Sequence, residues 1–271
     1  MMRSLWTAAS GMKSQQLQVD TISNNLANVN TIGYKKERLE FKSLLYETMQ
    51  RATTDEDGGG RPVNLQVGHG VRPIATLKNF STGNMDMTNY PLDLAIEGKG
   101  FFAILGANEE ECYTRDGSFK VSDIDGELMI VTSEGHPLLG LDDEPIYIPE
   151  NVFVEDLTIT EDGILQYMDE DGEMVELDNQ IKIVQFSNRA GLEAVGQNLF
   201  KATLASGEPI VEAEEDLQNT SRLIQGALES SNVQVVEEMV KMIIAQRAYD
   251  INSKAIQTSD DMLAIANQLK R

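Results

Sequence analysis

Apolar positions along the first 30 residues recur with a period of seven. Leu5, Met12, Val19 and Leu26 form one row; Ala8, Gln15, Ile22 and Val29 form a second, three residues later. Two rows at that spacing predict an amphipathic helix over 3–30 with a narrow seam for a partner helix. Lys13, Ser14, Gln18 and Asp20 fall on its other faces, and Gln15 puts one polar group into the seam. The last 40 residues repeat the pattern. Val236, Val240 and Ile243 begin a stripe that shifts by one position and continues through Ile244, Ala248, Ile251, Ala255, Thr258, Met262, Ile265 and Leu269. This predicts a helix over 234–270 with a local break in its heptads. Glu237 and Glu238 favour its positive end, and Lys270 and Arg271 its negative end. Neither helix can bury its seam alone, so the two ends are expected to pair as a coiled coil, in either direction.

Between the ends the pattern changes to short apolar runs: 101–105, 127–131 and 181–186 read as strands, and 92–96 as sheet core. Asp-Gly pairs at 116–117, 125–126, 162–163 and 171–172 supply the left-handed backbone of tight hairpin turns. The polar, glycine-rich stretch 53–61 reads as a loop or linker. The expected class is α+β: long terminal helices paired as a coiled coil, with a β-rich centre. The divisions are 1–35 for the N-terminal helix, 36–90 for a connecting β region and 91–190 for a central β domain. Residues 191–231 form a return segment and 232–271 the C-terminal helix.

Charge sharpens this division. The 271 residues carry 22 Lys and Arg against 44 Asp and Glu, a net of −22. Residues 1–52 stand at +3 and 232–271 at zero, so 53–231 holds the whole excess at −25. Near-neutral ends suited to burial flank a water-facing centre. The acidity argues against binding nucleic acid or anionic lipid. One cysteine, Cys112, excludes an intrachain disulfide and reads as structural, and two histidines leave few metal ligands. The acids around Asp123 and 169–173 lack complete Ca²⁺-loop spacing, and no residue set points to catalysis, a cofactor or a metal. No apolar run reaches membrane-spanning length and no secretory signal is visible, so the expectation is a cytoplasmic chain or one exported without a cleaved signal.

Four segments are recognisable. Ser23-Asn24-Asn25-Leu26-Ala27-Asn28-Val29-Asn30-Thr31-Ile32-Gly33-Tyr34-Lys35-Lys36 resembles the N-terminal motif of the rod and hook family of bacterial flagellar axial proteins. Residues 93–102 (DLAIEGKGFF) and 113–119 (YTRDGSF) resemble two central motifs. The run 231–254, containing Gln246-Arg247-Ala248-Tyr249-Asp250, is similar to the C-terminal motif in its distal-rod form. Gln234 departs from the Asn or Asp usual there and is a poorer helix cap. The resemblance implies a non-enzymatic subunit of the distal rod, exported by the flagellar type III route, that polymerises into a helical tube and passes torque to the hook. Implied partners are copies of itself, neighbouring rod proteins, the hook protein and, as a further candidate, the outer bushing rings. The expected assembly residues are Leu5, Met12, Val19, Ile22, Asn24, Asn25, Leu26, Asn28, Ile244, Arg247, Tyr249, Ile251 and Ile265, with Gly33 as the helix-to-β turn. Another axial protein of the same family is the near alternative; a carbohydrate-active enzyme using paired acids, or a binding module dimerised by its helices, are the distant ones.

Overall fold

The computed structural model describes residues 2–52, 63–106, 110–124, 127–149, 152–168, 174–213 and 220–268. The chain divides into two compact units. The first combines 1–27, 37–77 and 234–271; the second combines 28–36 and 78–233. The second unit takes in 191–231, which supplies strands to its main sheet.

In the first unit, α1 (Met2–Ala27) and α2 (Val235–Gln268) would measure about 39 and 51 Å at 1.5 Å per residue. With them goes an extended β ribbon. Strand Glu37–Ser43 pairs with Val71–Lys78, and Tyr46–Gln50 pairs antiparallel with Leu65–Gly68. The ribbon runs along α1. Asn25 bonds the backbone of Glu37, Ser10 Oγ accepts from Val71 N–H, and Arg3 pairs with Glu47 at 2.6 Å. The lengths agree: helix from Arg3 to Asn25 and extended chain from Glu37 to Glu47 each cover about 33 Å.

The second unit is built on a six-stranded antiparallel sheet in the order 193–196, 199–201, 111–114, 101–105, 183–185, 210–211. Its central strands are buried on both faces, so 101–105 (FFAIL) reads as a continuous apolar run instead of alternating. Phe102 and Ile104 enter the larger core with Leu92, Leu94, Ile96 and Phe119. Phe101 and Ala103 enter a second cluster with Phe80, Tyr113, Phe186 and Phe200. There the rings meet edge to face, Phe80 lying 5.4 Å from Phe101 and 5.3 Å from Phe200. Neighbouring strands obey the same alternation: Cys112, Ile183 and Leu199 face the first core, and Tyr113, Val184 and Phe200 the second. Two three-stranded sheets, 119–124/127–132/147–148 and 157–159/164–168/174–180, contribute to the larger core.

The Asp-Gly pairs divide into different uses. Gly163 takes φ +87° in a turn closed by Gly163 N–H to Thr160 O, joining two strands as expected. Asp116-Gly117 does not make a hairpin, because the strands on either side of it belong to different sheets. Asp116 Oδ1 instead accepts from Ser118 N–H, and a Cβ on Gly117 would stand 1.7 Å from Leu94 O. The expected 125–126 and 171–172 turns, the 53–61 loop and the acids at 169–173 lie outside the described residues.

Candidate assembly surface and charge node

The first unit places α1 and α2 side by side and antiparallel. Ser4 Oγ lies 3.4 Å from Ser259 Oγ. Gly11 abuts Asn252, whose Nδ2 would stand 2.9 Å from a Cβ added there. Asn25 Nδ2 donates to Glu238 Oε2 at 3.3 Å. Seven residues up α1, from Ser4 to Gly11, correspond to seven down α2, and the fourteen from Gly11 to Asn25 to fourteen more. The face of α2 turned to α1 is thus Glu238, Ala245, Asn252 and Ser259. Three of them are fully buried, and Asn252 partly so.

This differs from the expected seam. Ile244, Ile251 and Ile265 lie six residues out of phase with the paired face. At 100° per residue that is about 120° around the helix. Small side chains stand at two of these contacts, Gly11 against Asn252 and Ser4 against Ser259, where isoleucine would hold the backbones apart. The large apolar residues of α2 are left outside: Val236 is 76% exposed, Ile244 62%, Ile251 67% and Ile265 57%. Val240, Ile243 and Met262 are also exposed.

Of the other expected residues, Arg247 and Asn24 are exposed and Tyr249 is 40% exposed, while Leu5, Met12, Val19, Leu26 and Asn28 are half-buried. Ile22 and Asn25 are fully buried within the chain. Asn25 behaves as a substitute peptide group. Its Oδ1 accepts from Glu37 N–H and its Nδ2 donates to Glu37 O, both at 2.8 Å. The single amide fixes the end of α1, the start of the ribbon and, through Glu238, the start of α2. Glu238 also pairs with Lys241 at 2.7 Å.

The second unit holds a site that the sequence reading missed. Three charged side chains, Lys35, Arg115 and Glu229, meet in its interior with 0–1% exposure. Glu229 Oε1 accepts from Lys35 Nζ and from Gly83 N–H, each at 2.7 Å, and Oε2 accepts from Arg115 Nη1 at 3.2 Å. Lys35 also donates to Ser81 O at 3.0 Å, and Arg115 to Gly98 O at 2.6 Å. The guanidinium lies 5.3 Å from the centre of the Phe101 ring. Two cations face one carboxylate, and Arg189 stands near enough to oppose both. Burial pushes the Lys35 ammonium down to about 8 against the attraction of Glu229. Burial pulls Arg115 downward too.

Gly33 sits beside this node at φ +67°, and a Cβ there would stand 2.7 Å from Arg115 C. Its N–H donates to Glu229 O at 2.8 Å. Asn232 continues the connection: its Oδ1 accepts from Lys36 N–H at 2.8 Å and its Nδ2 donates to Asn79 O at 2.7 Å. Two of the three charges stand in segments already picked out, 23–36 and 113–119, and Glu229 lies two residues before a third. Only their mutual burial was hidden. Among the described residues no cluster of three His, Cys, Asp or Glu is placed to hold a metal ion, and no helix is long and apolar enough to cross a membrane.

Comparison with known proteins gives three family matches in chain order. Residues 5–35 match "Flagella basal body rod protein", 95–167 the "Flagellar hook protein FlgE/F/G D1 domain", and 224–269 "Flagellar basal body rod FlgEFG protein C-terminal". The flagellar basal-body rod protein FlgG of Borreliella burgdorferi is 52% identical, over 100% of both chains. FlgG of Caulobacter vibrioides is 42% identical over 99% of this chain and 100% of its own. The flagellar hook-basal body complex protein FlhP of Bacillus subtilis is 31% identical over 100% of both. With such relatives along its whole length, and family matches at its start, middle and end, the chain belongs to the flagellar basal-body rod protein family.

Proposed function

We propose that the chain is a structural, non-enzymatic subunit of the distal flagellar rod, which polymerises into a helical tube and carries torque toward the hook. The observation that carries this reading is the apolar stripe of α2. Val236, Val240, Ile243, Ile244, Ile251, Met262 and Ile265 are exposed in the single chain, because α1 takes a different face of the helix. A row of this length exceeds what a monomer ordinarily leaves in water. A second copy is the occupant that family membership supports. Contacts of this kind are heterologous and extend into an open helix instead of closing a ring.

On this reading Asn24, Ile244, Arg247, Tyr249, Ile251 and Ile265 contact neighbouring copies. Leu5, Met12, Val19 and Leu26 complete their burial there, and Ile22 and Asn25 hold the helix pair that presents the surface. The seven-residue ladder from Ser4–Ser259 to Asn25–Glu238 supports an antiparallel coiled coil as the packed wall of the polymer. The acidic centre would form its water-facing surface. Adjoining rod proteins, the hook protein and the bushing rings are the further partners proposed. Export without a cleaved signal and residence in the basal body complete the reading. The match to FlhP keeps a neighbouring axial position of the same family as the second reading.

Sedimentation velocity and electron microscopy of the full chain test this against the double variant Ile244→Asp/Ile251→Asp. Wild type should give filaments that grow with concentration. The variant should remain monomeric with unchanged unfolding, and filaments from the variant would overturn the reading.

A further inference from the structure

We infer that the Lys35–Glu229–Arg115 node is a co-closing latch: it lets residues 28–36 and 227–233 reach their places only together, and thereby sets whether the chain is competent to assemble. Residues 28–36 follow α1 directly, and 227–233 lead directly into α2. Within the second unit 227–229 pairs with strand 85–87, and the two segments are also bonded directly to each other. Gly33 N–H reaches Glu229 O, Lys36 N–H reaches Asn232 Oδ1, and Lys35 Nζ reaches the Glu229 carboxylate.

The chemistry makes the closure all-or-none. With either segment displaced, a fully buried charge loses its counter-charge. Without Glu229, Lys35 and Arg115 face each other with Arg189 nearby; without 28–36, the carboxylate keeps only Arg115 and Gly83 N–H among the described residues. An uncompensated buried charge is among the least tolerated states in a protein, so half-closed forms are sparsely populated. Arg115 is held independently. It bonds Ile96 O and Gly98 O and lies over Phe101, and serves as the fixed post against which the other two close. Lys35 and Glu229 are positioning residues in this scheme, buried within the second unit. The link to assembly rests on the proposed function; the co-closure does not.

Hydrogen exchange on the full chain tests the latch. Lys35→Met should raise exchange at least tenfold in 28–36 and, by a similar factor, in 227–233, with strands 101–105 and 183–185 still protected. Asn232→Ala, which alters no charge, serves where Lys35→Met also loosens those strands, and the same paired rise is expected. A rise confined to one segment, in whichever variant keeps its strands protected, overturns the latch. That variant should also fail to form filaments under conditions where wild type does. Polymer at the wild-type rate would overturn the assembly role, whereas failure of wild type itself to polymerise would sink the proposed function and leave the exchange result standing.

Discussion

Replacing Glu229 by Gln isolates what the buried carboxylate does. The substitution keeps the shape and one acceptor oxygen for Lys35 Nζ and Gly83 N–H, but removes the carboxylate that, among the described residues, bonds both Lys35 and Arg115. Breaking a buried pair by removing one partner costs about 3–5 kcal/mol, and here two cations are stranded by one change. The expected loss is therefore at the upper part of that range. Urea unfolding at neutral pH measures it, followed by the β-sheet circular dichroism signal. The single tryptophan, Trp6, lies in α1 and reports on the other unit, so it provides an internal control. The reasoning also predicts that Lys35→Met/Arg115→Met/Glu229→Met together will be far less damaging than Glu229→Gln, because apolar replacement of a whole buried ionic group is often neutral or stabilising. A loss below about 1 kcal/mol for Glu229→Gln, or a triple variant as unstable as the single, would show that water screens the node and that its charges are not the source of its stability.

Stability should rise with pH between about 8 and 10. Lys35 releases its proton near 8 in the folded chain and near 10.5 when unfolded, so the unfolded chain binds more protons in that window. The full difference is worth about 3 kcal/mol, and Lys35→Met should remove the rise. Above 10 the rise should end. Tyr113, held neutral by burial, then ionises only on unfolding and favours the unfolded chain. Asn25→Leu should destabilise the helix unit by about 2–4 kcal/mol by leaving both Glu37 backbone groups and Glu238 short of a partner, read by helical circular dichroism and Trp6 fluorescence. Gly33→Ala should lose at least about 1–2 kcal/mol from its left-handed backbone alone, with more from the contact against Arg115, in the same urea assay.

The helices were legible because seven-residue periodicity survives in the letters, whereas the face they use was not. A hydrophobic pattern says which side of a helix avoids water. It does not say whether the cover comes from the same chain or from another copy. In α2 these demands fall on different faces. Glu238, Ala245, Asn252 and Ser259 are too small or too polar to register in an apolar count, yet they make the intrachain contact, and the isoleucines that dominate the count are exposed. The informative signal was the recurrence of small residues, with Gly11 opposite Asn252. The β-rich unit was read more directly. A strand buried on both faces announces itself as an unbroken apolar run, and 101–105 does so.

The node was hidden for the opposite reason. Lys, Arg and Glu are read as surface residues by default, and Lys35, Arg115 and Glu229 are separated by most of the chain. Only a fold that brings 28–36, 81–83, 96–98 and 227–233 to one point turns three ordinary charges into a buried set. That convergence also gives the acidic balance a second meaning. The excess of −25 in 53–231 concerns what water and neighbouring surfaces meet, whereas the node buries two cations against one anion. Net charge therefore describes the outside of the second unit and is silent about the point that secures its chain ends. Substitutions among its exposed acids should leave unfolding within about 0.5 kcal/mol, while a single neutral substitution at Glu229 should not. A survey of Asp or Glu to Asn or Gln changes across 78–233, ranked by urea midpoint, separates the two roles: Glu229 standing apart from the exposed acids is the expected order, and its falling among them would remove the distinction.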